Sequence, residues 1–150
     1  MALQQNQQFS LQKAKNKVKQ NQAKVVSDST DVLAEQVQVN IAQVRYDRGE
    51  DQYKNGGIVS LSELESRKLK LQETKAKYVS IQNKLLVSRQ ELINARIELN
   101  SVNAEYAEKI SKAESDKSTA LSSVATGEYE LSQLQNKISN VDYRLGQYVV

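Results

Sequence analysis

The sequence predicts an all-α fold, a long antiparallel coiled-coil helical hairpin, on three observations: two heptad ladders, one glycine-bearing turn between them, and few helix breakers. Leu11, Val18, Val25, Val32, Val39, Tyr46 and Tyr53 lead up to Asn55-Gly56-Gly57, and Leu64, Leu71, Tyr78, Leu85, Leu92, Leu99 and Tyr106 lead away from it. Residues seven apart return to nearly the same helical face once a helix supercoils slightly. Folding the chain at the turn sets Tyr53 against Leu64, Tyr46 against Leu71, and so on down to Leu11 against Tyr106, so one register satisfies every rung. The 150 residues include no proline, five glycines, no tryptophan and one phenylalanine. A compact domain of this length usually carries more aromatics and more turn residues.

The first arm is expected over about residues 3–54. Ala23, Val26, Thr30, Leu33, Val37 and Val44 form a second apolar stripe beside its ladder, and the two stripes cover roughly 160° of a 3.6-residue helix, more than one partner helix buries. The second arm repeats the pattern with Val79, Leu86, Ile93, Ala107 and Leu121. Aliphatics scattered singly on a surface are ordinary. These recur at helical spacing, which favours lateral packing against another copy or another helix.

The tip is expected over 55–60. Asn55, Gly56 and Gly57 can adopt the left-handed conformation that ends a helix. Ser60 then serves as N-cap, Glu63 stands where a capping box needs its acid, and Val59 and Leu64 have the spacing of a hydrophobic staple. All three devices place the restart near Leu61. Gly56-Gly57 lacks the spacing of a phosphate-binding glycine loop, and no strand precedes it.

The second arm is expected over about 61–145. Beyond Tyr106 its ladder continues as Ala113, Ala120, Leu134, Val141 and Tyr148, with a companion stripe at Ile110, Val124, Leu131, Ile138 and Leu145, and Gly127 interrupts the ladder. In the register above residue 3 faces residue 114, so nothing in the chain pairs with roughly 115–145, an overhang of about 45 Å. Three outcomes are open: a fold-back near Thr126-Gly127 as a third helix, pairing with a helix outside this sequence, or pairing between molecules. Gly146 is a helix-ending residue, and 147–150 reads as the start of a β-strand, as if the chain were excised from something larger.

Charge and composition narrow the function classes. The net charge is +3, with Lys13, Lys15, Lys17, Lys19 and Lys24 all preceding the first acid, Asp28. A phosphate or acidic-surface contact is one reading of that cluster. The plainer one is a solvated flank, since the lysines fall on several sides of the helix and no aromatics interleave with them, so no nucleic acid is expected as partner. Glu63/Arg67, Glu73/Lys77, Glu105/Lys109 and Glu108/Lys112 stand at i,i+4 with the acid first, each pair contributing about 0.2 to 0.5 kcal/mol. Neither cysteine nor histidine is present, which removes disulfides, thiol nucleophiles and Cys- or His-type metal sites. No cofactor, no metal and no enzyme activity are expected. No apolar run approaches the roughly 20 residues of a membrane span, and the start of the sequence has no signal-peptide core.

The run from Tyr53 through Gly57 and Ser60 to Glu63 and Leu64, followed by a Lys/Gln/Ala-rich helix, resembles the hairpin tip of periplasmic adaptor proteins, the HlyD-like membrane fusion proteins of efflux pumps and type I secretion systems. Those tips carry an arginine, a leucine four residues on, a glycine turn, a serine, and an acid or amide opening the second helix. Gly57, Ser60 and Glu63 match by spacing, Tyr53 stands at the leucine position, and the arginine position falls on Gly49, with Arg48 one residue early and Arg45 a turn earlier. The closing Leu145-Gly146-Gln147-Tyr148-Val149-Val150 also resembles the re-entry of such a hairpin into a lipoyl-like β domain. The resemblance implies a non-catalytic adaptor, the periplasmic portion of a protein anchored at the inner membrane outside this chain. It implies assembly as a homo-oligomeric ring, often a hexamer. It further implies a bridge from an inner-membrane transporter to a TolC-like outer-membrane channel, met by Arg45, Arg48, Tyr53, Gly57, Ser60 and Glu63. A generic coiled-coil oligomerisation or spacer rod explains the ladders equally well.

Overall fold

The computed structural model describes residues 2–149 and is all-α: α1 spans Ala2–Gly56 and α2 spans Leu61–Tyr148. Abundant Lys, Gln, Glu, Ala and Leu, with no proline, favour helix at most positions. Lys54 in the last turn of α1 and Glu63 in the first turn of α2 complement the helix dipoles. The chain divides into two compact units, residues 1–103 and 104–150.

The first unit is the antiparallel hairpin, in the expected register. Lys17 Nζ meets Glu98 Oε2 at 2.5 Å and Lys24 Nζ meets Glu91 Oε2 at 2.7 Å. Further along, Lys77 reaches Glu35 at 2.9 Å, the Tyr78 hydroxyl donates to Gln36 Oε1 at 3.2 Å, and Lys75 donates to Gln43 Oε1 at 3.0 Å. Four of these five partnerships fall within a turn of the rung expected from the ladders and Lys77–Glu35 falls five residues from it, because the heptad step is the same on both arms and long side chains reach along the seam.

The seam is built differently from the sequence expectation. The ladder residues of α1 from Leu11 to Tyr46 are half-buried, and those of α2 from Leu64 to Leu99 are half-buried or, at Leu71 and Leu85, buried. Their seam partners are the residues three positions on. On α1 these are Ala14, Asn21, Asp28, Glu35, Ala42 and Gly49; on α2 they are Arg67, Thr74, Ile81, Ser88, Ala95 and Val102. All are buried or half-buried. One half of every heptad is thus aliphatic or aromatic, and the other half is mostly small or polar. The second stripe lies outside this seam, left uncovered by the one partner helix as its width implied. Val26, Leu33, Val37 and Val44, and likewise Val79, Leu86 and Ile93, are all roughly half or more exposed. At 3.6 residues per turn they point roughly 130° to 170° from the middle of the seam.

Two boundaries differ from expectation. α1 continues two residues past Lys54, to Gly56; of the outcomes left open for the distal segment, the fold-back is not formed, since α2 runs unbroken through Thr126-Gly127 and the described residues form no third helix. α2 also passes through Gly146 to Tyr148, so the expected strand start at 147–150 is corrected to helix over 147 and 148; Val149 has no regular structure and Val150 lies outside the described residues. A glycine inside a helix costs only about 1 kcal/mol relative to alanine, too little to end it without a left-handed backbone, and among the described residues only Gly57 has positive φ. A strand also needs a neighbouring strand to take its backbone hydrogen bonds, and the described residues contain none.

The second unit is the distal part of α2. Every described side chain beyond Tyr106 is exposed, including Ile110, Val124, Leu131, Leu134, Ile138, Val141, Leu145 and Tyr148. From Val124 to Tyr148 these residues keep the alternating four-three spacing of a coiled-coil seam, with Gly127 as the one gap. Among the described residues no helix is long and apolar enough to cross a membrane.

Candidate functional site: the hairpin tip and its basic groove

Gly57 sets the tip. Its φ of 61° is left-handed, and nothing approaches within 4 Å of the position a Cβ would take. The Ile58 N–H turns back to the Gln52 carbonyl at 3.4 Å, and the Ser60 carbonyl accepts the first α2 bond from the Leu64 N–H at 3.0 Å. Ser60 Oγ accepts from the Glu63 N–H at 3.2 Å, the N-cap expected of a serine there. The capping box is only half formed. Glu63 turns its carboxylate to Arg67, whose Nη2 donates to Oε1 at 2.5 Å, instead of reaching back to Ser60. A guanidinium one turn along the helix is a stronger donor for a carboxylate than a neutral amide. Val59 is buried and Leu64 half-buried, as a staple requires, whereas Ile58 (79% exposed), Leu61 and Tyr53 present apolar surface at the end of the hairpin. Ile58 and Leu61 were not among the sequence candidates; they fall off the heptad ladders, and only the bend turns them outward.

Behind the tip, between the two arms, a groove of about 600 Å³ is lined by Gln38, Arg45, Arg48, Gln52, Arg67 and Lys70, among others. Arg67 spans the seam: its Nη1 donates to the Arg45 carbonyl at 3.2 Å, and its side chain lies 3.0 Å from where a Cβ on Gly49 would be. Gly49 therefore opens the space through which the guanidinium crosses. Arg45 and Arg48 are exposed and their side chains enter no hydrogen bond or ion pair among the described residues, while Lys70 has only Glu73 at 3.9 Å. The tip thus brings Arg45, Arg48, Gly57, Ser60 and Glu63 to one end of the hairpin. It also adds Arg67, which the sequence placed only in an i,i+4 pair with Glu63, and Lys70, which the sequence reading did not single out.

A second cluster lies mid-seam. Asp28 and Ser88 are nearly inaccessible to solvent, and the Ser88 hydroxyl donates to Asp28 Oδ2, while Lys84 Nζ meets Asp28 Oδ1 at 2.9 Å and Asp31 at 3.7 Å. The hydrogen bond from Ser88, then that from Lys84, holds the Asp28 carboxyl below the usual carboxylate range, and Asp28 in turn raises the Lys84 ammonium. Every buried polar side-chain atom among the described residues has a partner. In the early lysine cluster, Lys17 and Lys24 are spent on cross-arm pairs. That use favours the flank reading over a phosphate surface. Of the expected i,i+4 pairs, Glu63/Arg67 and Glu105/Lys109 form, whereas Lys77 leaves Glu73 for Glu35 across the seam.

The described residues hold no group of three or more Asp, Glu, His or Cys placed to bind a metal ion. Compared with family models, with curated proteins and with solved structures, the chain matches none.

Proposed function

We propose that this chain is the hairpin of a non-catalytic adaptor of the HlyD-like kind. In this role it bridges an inner-membrane transporter to a TolC-like outer-membrane channel from the periplasmic side, as part of a homo-oligomeric ring. The observation that carries the reading is the tip. A capped turn with a left-handed glycine ends a two-helix arm and displays Ile58, Leu61 and Tyr53 beside two arginines whose side chains have no partner among the described residues. A spacer has no use for such an end, because a loop that only reverses the chain is served by a polar surface.

The exposed stripes support the ring. Antiparallel arms are related by a two-fold axis perpendicular to the plane of the pair, so the stripe at Val26 and Leu33 and the stripe at Val79 and Leu86 lean toward the same broad side of the hairpin. A row of aliphatics on one side suits packing against a neighbouring copy. Contact at each tip is small, and a ring multiplies it: several weak contacts made together reach an avidity that one does not.

Crosslinking or pull-down of the chain with candidate outer-membrane channel proteins tests the reading, comparing wild type with the Arg48→Ala/Ser60→Ala double variant. Capture by wild type and loss in the variant is the expected result. No capture at any valency, including a forced hexamer, sinks the adaptor and leaves the spacer.

A further inference from the structure

We infer that the groove behind the tip is a binding site for carboxylate side chains of an acidic, helical protein segment. Charge along the seam shows why. In an antiparallel pair, the positions flanking one side of the seam face their counterparts on the other arm. Lys17 faces Glu98, Lys24 faces Glu91, and Asp31 faces Lys84, each as an ion pair. The next cation, Lys77, is neutralised by the buried Glu35. One step nearer the tip the matching stops. Arg45 and Lys70 occupy facing positions and line the same groove, joined by Arg48 and Arg67. Among the described residues, Arg67 has a close acid in Glu63 and Lys70 a loose one in Glu73 at 3.9 Å, whereas the side chains of Arg45 and Arg48 have none. Like charges placed opposite each other oppose pairing of the arms, so this stretch gives up stability that the rest of the seam keeps.

The arrangement gains if an anion completes it. Guanidinium groups are planar forks that match carboxylates through two parallel hydrogen bonds, and among the described residues nothing takes the side-chain donors of Arg45 and Arg48. Arg67 is held by the Glu63 carboxylate and the Arg45 carbonyl in the gap at Gly49, so it adds a fixed positive charge beside the forks of Arg45 and Arg48 before a ligand arrives. The groove is long enough to span two turns of α1, from Ile41 to Arg48, and it is flanked by Gln38 and Gln52, which supply neutral hydrogen-bonding groups. Two or more carboxylates one helical turn apart on a partner segment fit cations so spaced, which a single small anion does not use. The inference rests on the tip being a partner-facing surface, and it adds the chemistry of that partner.

The test uses the whole chain and a fluorescent, blocked, glutamate-rich helical peptide, with its glutamine counterpart and inorganic phosphate as competitors. Anisotropy is expected to show saturable binding of the glutamate peptide only. Affinity should fall tenfold or more in Arg45→Gln/Arg48→Gln and stay unchanged in Lys13→Gln/Lys19→Gln, which removes two other cations of α1. Arg45→Glu places an acid opposite Lys70 and is expected to raise the melting temperature while abolishing binding, an opposition that a merely structural arginine cannot produce. Equal loss in the Lys13/Lys19 control, retained binding without Arg45 and Arg48, displacement by phosphate at concentrations equal to the peptide's, or a lowered melting temperature in Arg45→Glu each overturns the inference. Because no channel protein is needed, failure here leaves the bridge reading standing, and failure of channel capture leaves the groove.

Discussion

At Gly57 one torsion decides how the chain leaves α1. With φ at 61° and open space around the Cβ position, Gly57→Ala meets no clash and should cost only the left-handed backbone penalty, about 1 to 2 kcal/mol, read as a lower denaturant midpoint with unchanged slope. Ser60→Ala removes the acceptor of the Glu63 N–H and is expected to cost about 1 kcal/mol. The Glu63–Arg67 pair should survive it, since the carboxylate does not depend on Ser60. Gly49→Ala separates the two roles of a glycine. Helix propensity favours alanine by about 1 kcal/mol, whereas a Cβ 3.0 Å from the Arg67 side chain presses the guanidinium off the Arg45 carbonyl. Nearly unchanged stability with a shifted Arg67 Nε–Hε resonance is expected, and a large stability loss would show that Arg67 cannot yield.

At the scale of the helices, the seam couples a half-buried aliphatic row to a row of small and polar residues. The first was legible in the sequence because Val, Leu and Tyr at seven-residue steps stand out from a polar background. The second was not. Ala14, Asn21, Asp28, Glu35, Ala42 and Gly49 have no common hydropathy, and their burial follows from what the other arm places opposite: Ser88 and Lys84 for Asp28, Lys77 for Glu35. The apolar stripe that did catch the eye, through Val26 and Leu33, points away from the partner. Asp28 makes the seam sensitive to acid. Its folded-state pKa is lowered, so its contribution is present above the unfolded carboxylate value of about 4 and is lost as pH falls through the folded value. Thermal melts followed by circular dichroism should show a steeper acid loss for wild type than for Asp28→Asn. The variant is also expected to be less stable at neutral pH, where Lys84 loses its buried partner. Spin labels at Val18 and Leu99 report the register directly and should lie close together; a separation near the length of a helix would sink the hairpin.

At the scale of the whole chain, both units leave apolar rows in solvent. The hairpin exposes Val26, Leu33, Val79 and Leu86, and the distal helix exposes a seam from Val124 to Tyr148. Such contiguous rows are unusual on a chain that works alone. Self-association that grows with concentration is expected in sedimentation velocity, above the 16.9 kDa of one chain. Leu134→Glu/Val141→Glu should reduce it without lowering the melting of the hairpin, since both residues lie in the second unit and are exposed. A strictly monomeric wild type at high concentration would remove support for the ring.

The amino-acid sequence by itself determined the class, the direction of the arms, their register, and the site of reversal, because each follows from local periodicity or from the turn chemistry of Gly57 and Ser60. Tertiary structure alone decided which residues share the seam, that Glu63 serves Arg67 in place of a closed capping box, and that Arg45 and Lys70 share a groove. The physical reason is that burial and charge pairing belong to two arms at once. A polar side chain at a heptad position reads as surface until the residue facing it is known.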